Sequence, residues 1–249
     1  MIDIHSHILP MIDDGAYSID MALDMLDQAY QSGTDAIVLT PHLAYAYGFE
    51  NPYNKIKELF DDFQKIVRDV GIPIQMYLGT EFLFSSPRTF YLHKDEITTM
   101  NQTQYLLMEF YFDVKEEEIL EAIDIIVSEG WIPIIAHPER FECIQIHHQF
   151  ASLMIQKGAL LQMNKGSILS QYGRMAKETV LYLLDHHYIS FVGSDAHHPR
   201  LRDANLSLCY EMVCDLYGHH YAQDIFDNNA QKMLKNQDMR KRGKYEEEY

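Results

Sequence analysis

Short apolar runs alternate with longer amphipathic stretches along almost the whole chain, and this alternation strongly limits the folds that the chain can adopt. The short runs have the length of buried strands, whereas the longer stretches repeat their apolar residues with helical spacing. Strands that alternate with helices indicate parallel strands joined by crossover helices. Since about seven such units fit into the chain, we expect an α/β barrel rather than an open sheet.

The element bounds follow from apolar runs and from residues that begin or end helices. Ser18 is expected to cap a helix, and Pro52 to open another that ends at Gly71. Strands are predicted at 2–4, 36–40, 74–78, 105–110, 132–136, 160–163 and 189–192. Further helices are predicted at 114–129, 147–156, 174–185, 203–216 and 221–234.

We expect one domain at 1–237, because 249 residues of which 47% are hydrophobic suffice for one substantial core. The charged tail at 238–249 ends in Tyr245-Glu246-Glu247-Glu248-Tyr249. Such composition favours a disordered, solvated terminus over a docking element.

The formal net charge of -17 argues against nucleic-acid binding, because phosphate backbones are held mainly by Lys and Arg. No apolar segment approaches the roughly 20 residues of a membrane span, so no membrane insertion is expected. The three cysteines, which show no Cys-x-x-Cys spacing, are typical of reduced thiols. Together with the absence of an apparent export signal, they predict a cytoplasmic protein. The oligomeric state is left open, and an oligomer is compatible with the sequence.

His5 and His7 lie two residues apart on the first predicted strand, so both imidazoles face the same side. Other histidines and carboxylates follow later strands, and the carboxyl ends of barrel strands converge on one mouth. A metal site is therefore predicted there. The nine candidate ligands are His5, His7, Asp14, His42, Glu81, Glu109, His137, Asp195 and His197.

Nine ligands exceed the needs of one ion, since a catalytic zinc takes three protein ligands and an open position. Two or three ions that share carboxylates would use all nine. Imidazoles and carboxylates without thiolates suit manganese, iron or zinc. Two candidates have a simpler alternative: Asp14 fits a turn or cap, and Glu109 in its apolar run would be a costly buried carboxylate if it bound nothing. The other histidines are expected to be surface or core residues, although His198 could face the mouth.

Seven short motifs together resemble the PHP (polymerase and histidinol phosphatase) family. The resemblance is greatest to its bacterial branch of metal-dependent tyrosine phosphatases in capsular and exopolysaccharide synthesis. It covers nearly the whole chain. The motifs are Ile2-Asp3-Ile4-His5-Ser6-His7, Asp13-Asp14-Gly15, Thr40-Pro41-His42, Gly79-Thr80-Glu81, Met108-Glu109-Phe110, Ala136-His137-Pro138-Glu139-Arg140 and Gly193-Ser194-Asp195-Ala196-His197.

The resemblance implies a distorted seven-stranded (β/α) barrel with three divalent ions, of which Mn²⁺ is the first expectation and Fe or Zn the alternatives. It implies one ion on His5, His7, Glu81 and Asp195, a second on Glu81, Glu109 and His137, and a third on Asp14, His42 and His197.

The resemblance also implies that Arg140 and Arg202 bind the phosphoryl group. Arg140 could instead pair with Glu139 or Glu142, and Arg200 competes with Arg202 for its role. In this chemistry, metal ions lower the pKa of a water from 15.7 to about 7, and forked guanidinium groups hold the phosphoryl oxygens. Tyrosine's phenol, with a pKa of about 10, leaves more readily than an alkyl alcohol, so no general acid is named.

The function implied is hydrolysis of phosphotyrosine in proteins, with a bacterial tyrosine kinase as the expected partner. A histidinol-phosphate or other small phosphomonoester phosphatase is the main alternative, because metal ligands do not select the organic group. A nuclease-like phosphodiesterase and a non-catalytic binding module fit less well. A cysteine-dependent mechanism is excluded, since Cys143, Cys209 and Cys214 all lack an Arg six positions later.

Two further features lie near the predicted ligands. Tyr45, Tyr47 and Phe49 follow His42, and their rings could either flank a phenyl ring or pack on the barrel rim. Gly79 and Gly193, which precede ligand turns, are expected to adopt special backbone angles.

Overall fold

The computed structural model of the chain describes residues 1–240; residues 241–249, which include most of the predicted tail, lie outside the described part. Parallel strands and helices alternate through it, as the sequence predicts. The strands are β1 (Ile2–Ser6), β2 (Ala36–Leu39), β3 (His42–Leu43), β4 (Gln75–Leu78), β5 (Glu81–Leu83), β6 (Tyr105–Glu109), β7 (Ile132–Ala136), β8 (Leu160–Asn164) and β9 (Ile189–Gly193).

The helices fill the intervals between most strands, and short 3₁₀ turns occupy several loops. The α-helices are α1 (Ile19–Gln31), α2 (Tyr53–Val70), α3 (Pro87–His93), α4 (Glu116–Ser128), α5 (Glu142–Ile146), α6 (Phe150–Gln156), α7 (Lys165–Ile168), α8 (Gly173–Asp185), α9 (Ser207–Tyr217), α10 (His219–Gln223) and α11 (Asn229–Leu234). A π-helical turn, Asp224–Asn228, connects the last two. No helix within residues 1–240 is both long and apolar enough to cross a membrane.

The predicted helix ends of α1 and α2 are confirmed. The Ser18 side chain accepts a hydrogen bond from the Met21 amide, 3.2 Å away, and so satisfies a free donor of the first turn. Pro52 precedes α2, and Gly71 ends it with a φ of 85°, a left-handed conformation that glycine adopts without strain.

All strand pairs are parallel, and they form two sheets. One sheet has the order β1-β2-β4, and the other has the order β3-β5-β6-β7-β8-β9. The chain passes between the sheets across Thr40-Pro41 and again across Gly79-Thr80. The short strand after each break, β3 or β5, lies beyond the predicted strands at 36–40 and 74–78 and was not predicted.

The parallel α/β architecture is confirmed, but the described residues show two sheets rather than one closed seven-stranded barrel. Pro41 has no amide hydrogen, so regular ladder pairing cannot run through it. The sheets are nevertheless tied together beside β1: Ser6 forms an isolated parallel bridge with Ala196, and the Asp195 amide donates to the His5 carbonyl at 2.8 Å. These ties bring the ends of β1 and β9 to one place.

Part of the predicted tail is packed against the protein. Met239 is buried, and its amide donates to the Tyr105 hydroxyl at 3.1 Å. Asp238 and Arg240 form an ion pair. The prediction of disorder is therefore wrong for residues 238–240. The rest of the predicted tail, residues 241–249, lies outside the described residues.

Candidate metal centre

All nine candidate ligands lie together, as predicted. Most of them end or follow a strand, whereas His42 and Glu81 follow β2 and β4 and begin β3 and β5. Glu81 is at the centre of the group. The Nε2 atoms of His5 and His7 are each 3.2 Å from Glu81 Oε2. Asp195 Oδ1 lies 3.6 and 3.5 Å from the same two nitrogens.

The other carboxylate oxygen of Glu81 faces a second group of side chains. His137 Nε2 is 3.0 Å from Glu81 Oε1 and 3.8 Å from Glu109 Oε2. His42 also takes part here, because its Nδ1 lies 3.2 Å from both Glu81 Oε2 and Glu109 Oε1. His42 therefore contacts the residues expected at the second ion as well as those expected at the third.

The third group lies at the open side of the site. Asp14 Oδ1 is 3.5 Å from His42 Nε2 and 3.4 Å from His197 Nε2. The ring centroids of His7 and His197 are 4.0 Å apart. Asp14 is half exposed, with 53% of its side-chain surface accessible, so a substrate could reach this group from solvent.

The charges within the group reinforce one another. Burial lowers the pKa of His5, but the charges of Glu81 and Asp195 outweigh it and raise that pKa to about 9. His42 has a pKa of about 10 because Glu81 and Glu109 overcome its burial in the same way. Burial opposes ionisation of Asp195, yet the His5 and Arg202 charges hold its pKa well below the usual value.

The residues fit divalent cations. His42 Nδ1 and Glu109 Oε1 are buried and 3.2 Å apart, but neither forms a hydrogen bond of good geometry with the described residues. Buried polar atoms are normally hydrogen-bonded, so a cation bound by these two atoms would supply the missing interaction. The converging donors are only imidazole nitrogens and carboxylate oxygens, which suit manganese, iron or zinc.

A second layer of side chains orients the imidazoles. His5 Nδ1 donates to Gln162 Oε1 at 2.9 Å, and His7 Nδ1 donates to Asp13 Oδ2 at 2.8 Å. Asn164 Nδ2 donates to Asp195 Oδ2 at 2.6 Å. Such bonds fix the tautomer and leave Nε2 free to bind a cation. The sequence analysis missed Gln162 and Asn164, although two polar residues two positions apart at the end of an apolar strand are the pattern that identified His5 and His7.

His137 and Asp195 hold unusual backbone conformations, with φ of 36° and 51°. Non-glycine residues pay a conformational cost of order 1–3 kcal/mol in such sparsely populated regions, and they occur preferentially at functional sites. The turns after β7 and β9 therefore carry strain at candidate ligands.

The expectation for Gly79 and Gly193 is wrong, because neither has a positive φ. Gly193 is required instead because there is no room for a side chain at this position. A Cβ atom there would lie 2.6 Å from His5 Cβ and 2.8 Å from Gln162 Nε2. β1, β9 and β8 therefore approach each other closely beneath the site.

Gly193→Ala is expected to displace His5 and to lower both stability and metal content. Overpacking of this kind costs about 1–3 kcal/mol. Thermal unfolding and elemental analysis measure the two effects. Gly130→Ala is the control, because its φ of 85° imposes strain while no atom lies within 4 Å of the added Cβ. Full metal content in Gly193→Ala would contradict the close packing.

Both arginines border the cluster. Arg140 Nη1 is 3.6 Å from Asp195 Oδ2, and Arg202 Nη2 contacts the same oxygen. Arg200 is exposed. Glu139, the proposed alternative partner of Arg140, is buried and accepts hydrogen bonds from the Asn164 amide and the Ser167 hydroxyl.

Aromatic side chains line the mouth of the cavity. Tyr47, Phe49 and Phe112 border it beside Arg140. Phe49 stacks on His42 with ring centroids 5.4 Å apart. Tyr45 has a different environment, because it stacks on His93 and its hydroxyl contacts Glu96. Phe112 was missed by the sequence analysis, since it follows a different strand from the other two.

Known proteins match the chain over nearly its whole length. The chain is similar to the tyrosine-protein phosphatase CpsB of Streptococcus agalactiae serotype V, with 30% identity over 241 residues, 95% of this chain and 99% of CpsB. It is 30% identical over 237 residues to the tyrosine-protein phosphatase YwqE of Bacillus subtilis, covering 95% of this chain and 92% of YwqE.

A solved structure is similar over the same extent. It comes from work on YwqE from Bacillus subtilis and CpsB from Streptococcus pneumoniae, described there as unique metal-dependent tyrosine phosphatases. It matches with a TM-score of 0.88 and 30% identity, covering 95% of both chains. The family model described as "Capsular polysaccharide synthesis, CpsB/CapC" matches residues 1–235. The chain therefore belongs to the CpsB/CapC family of capsular polysaccharide synthesis proteins.

Proposed function

We propose that this chain is a metal-dependent tyrosine phosphatase that hydrolyses phosphotyrosine in proteins. One observation carries the proposal: nine imidazole and carboxylate side chains converge around Glu81, which contacts four of the imidazoles, and two guanidinium groups border them at an open mouth. The relatives named as tyrosine phosphatases support the choice of substrate.

The nine residues would hold three divalent ions. His5, His7, Glu81 and Asp195 form the first site, Glu81, Glu109 and His137 the second, and Asp14, His42 and His197 the third. Mn²⁺ is the proposed ion, and Fe or Zn would fit the same donors. The buried Nδ1 of His42, which lies 3.2 Å from Glu109 Oε1 without a well-formed hydrogen bond to the described residues, supports this ligand set, with His42 placed between the second and third sites.

Phosphate monoesters resist hydrolysis because their negative charge repels a nucleophile. Bound divalent ions supply charge neutralisation and an activated water. Arg140 and Arg202 bind the equatorial phosphoryl oxygens, where charge increases in the transition state. Tyr47, Phe49 and Phe112 flank the phenyl ring of the substrate and exclude water from it.

The proposed partner is a bacterial tyrosine kinase that carries phosphorylated tyrosines, and the proposed location is the cytoplasm. The family's link to capsular polysaccharide synthesis supports this choice. A phosphotyrosine on a mobile kinase segment could reach the open side of the site next to Asp14.

Substrate competition tests the proposed function. With Mn²⁺ present, kcat/KM for a phosphotyrosyl peptide should exceed those for a phosphoseryl peptide and for histidinol phosphate by about ten-fold or more, because only the first places a phenol between the rings. Faster turnover of histidinol phosphate would favour the alternative small-molecule phosphatase and overturn the substrate assignment.

Removal of metal is expected to lower thermal stability. A ligand present at 100 times its Kd stabilises the folded state by about 2.7 kcal/mol, which corresponds to a Tm change of roughly 5–10 °C for a chain of this size. Calorimetry with and without EDTA measures the shift, and Mn²⁺ should restore the Tm. An unchanged Tm, together with no bound metal by elemental analysis, would contradict the three sites.

A further inference from the structure

Arg140 lies between two aromatic rings. Its Cζ atom is 4.6 Å from the ring centroid of Phe112 and 4.4 Å from that of Tyr172. A guanidinium group is planar and weakly hydrated, so it stacks well on aromatic faces while its N–H groups remain available at the edge. Such stacking restricts a long side chain that would otherwise sample many rotamers.

Tyr172 also lies close to Arg202. Burial is the main cause of the raised pKa of Tyr172, and the charge of Asp195 raises it further. The charges of Arg202 and Arg140 act in the opposite direction. One phenol therefore interacts with both cations at the mouth of the site.

The fold gives Tyr172 a fixed position. It directly precedes α8, and its ring packs on Gly166 in α7. A Cβ atom at Gly166 would lie 2.6 Å from Tyr172 Cε2 and 3.0 Å from Cζ. The Gln171 amide donates to the Gly166 carbonyl at 2.8 Å, which holds the preceding backbone against α7.

The same short helix holds the loop of Arg202. Lys165, which is 2% exposed, forms an ion pair with Asp203 and donates to the Asn205 carbonyl at 2.8 Å. α7 therefore fixes Tyr172 on one side and the segment after Arg202 on the other. Neither connection touches the candidate metal ligands.

We propose that Tyr172 is a positioning residue that stacks on Arg140 and so holds it in place beside Arg202, where both guanidinium groups meet the oxygens of a tetrahedral phosphate group. The inference rests on the proposed phosphate-binding role of the two arginines. Its ring orders Arg140 against Phe112 and packs on α7, the helix whose Lys165 holds the loop that follows Arg202. Both guanidinium groups are then oriented before the substrate arrives, which lowers the entropy cost of binding.

Two substitutions separate the effect of the Tyr172 ring from that of its hydroxyl. Tyr172→Leu removes the ring and the hydroxyl, and the Kd for inorganic phosphate should rise about ten-fold, in the range of a desolvated cation–π contact. Tyr172→Phe keeps the stack on Arg140 and loses only the hydroxyl, so the Kd should stay within about two-fold of that of the unsubstituted protein. Gly166→Ala keeps the tyrosine but displaces its ring, so the rise in Kd should resemble that of Tyr172→Leu.

Calorimetric titration of inorganic phosphate into the metal-loaded protein measures these changes, and elemental analysis verifies equal metal content. For phosphotyrosyl peptide, kcat should fall more than KM rises, because oriented arginines act most strongly in the transition state. Tyr182→Leu is the matched control: it lies on α8, stacks on His148 and His186, and should leave phosphate binding unchanged.

Arg140→Ala and Arg202→Ala separate a failure of the proposed positioning role of Tyr172 from a failure of the proposed phosphate-binding role of the arginines. If both weaken phosphate binding but Tyr172→Leu and Gly166→Ala do not, the positioning role is overturned and the proposed function remains. If the arginine variants also bind phosphate normally, the proposed role of the arginines fails. Recovery of binding in Tyr172→Phe relative to Tyr172→Leu would support the stack specifically.

Discussion

Glu81→Gln is expected to lower kcat/KM for phosphotyrosyl peptide by about 10³-fold, or roughly 4 kcal/mol. Glu81 is 1% exposed and lies within 3.2 Å of four imidazoles. An amide of the same shape removes the negative charge that these groups and the proposed ions share. Metal content should fall at the same time, because two of the proposed sites use this carboxylate.

Steady-state kinetics and elemental analysis measure both effects on the same preparations. Glu178→Gln is a suitable control, since Glu178 lies on α8, is 48% exposed and pairs only locally with Arg174. Thermal unfolding with Mn²⁺ shows whether the variant is folded. Activity and metal content that match the unsubstituted protein would remove Glu81 from the centre of the mechanism.

Arg140→Ala and Arg202→Ala should each lower kcat/KM by about 10²-fold, the lower end of the effect of removing one transition-state donor. Both guanidinium groups contact Asp195 Oδ2 and are therefore held next to the ligand cluster. Because charge increases on the phosphoryl oxygens during transfer, the loss should fall mainly on kcat.

Arg174→Ala provides the matched control, because this arginine is 87% exposed on α8 and forms its ion pair with Glu178, which is not a candidate ligand. Pre-steady-state and steady-state kinetics separate binding from turnover. If the arginine variants at the mouth show the same kcat as Arg174→Ala, the phosphoryl group is bound by other residues.

Much of the fold was predictable because it depends on local patterns. The caps at Ser18 and Gly71 and the strand at 132–136 follow from residue type and spacing alone. The two-sheet arrangement was not predictable in this way. It depends on how the chain pairs across the breaks at Thr40-Pro41 and Gly79-Thr80, and such pairing joins residues that are distant in sequence.

The candidate ligands were predictable for a topological reason. Residues at the ends of parallel strands meet at one edge of a sheet, which predicts that ligands from neighbouring strands gather. His5 lies in a different sheet from Glu81, and the bridge between Ser6 and Ala196 brings the two sheets together at the site. The supporting groups were harder to predict. Gln162, Phe112 and Tyr172 carry no distinctive motif, and each gains its role only from a neighbour on another element.

The sequence by itself determined the alternating parallel architecture, the nine donors and their place at the strand ends, because periodicity and residue type act over short distances. Only the tertiary structure decided that His42 contacts two groups of ligands, that Tyr45 packs on His93, and that Tyr172 stacks on Arg140. These are contacts between elements, and their geometry depends on the packing of the whole chain rather than on any local pattern.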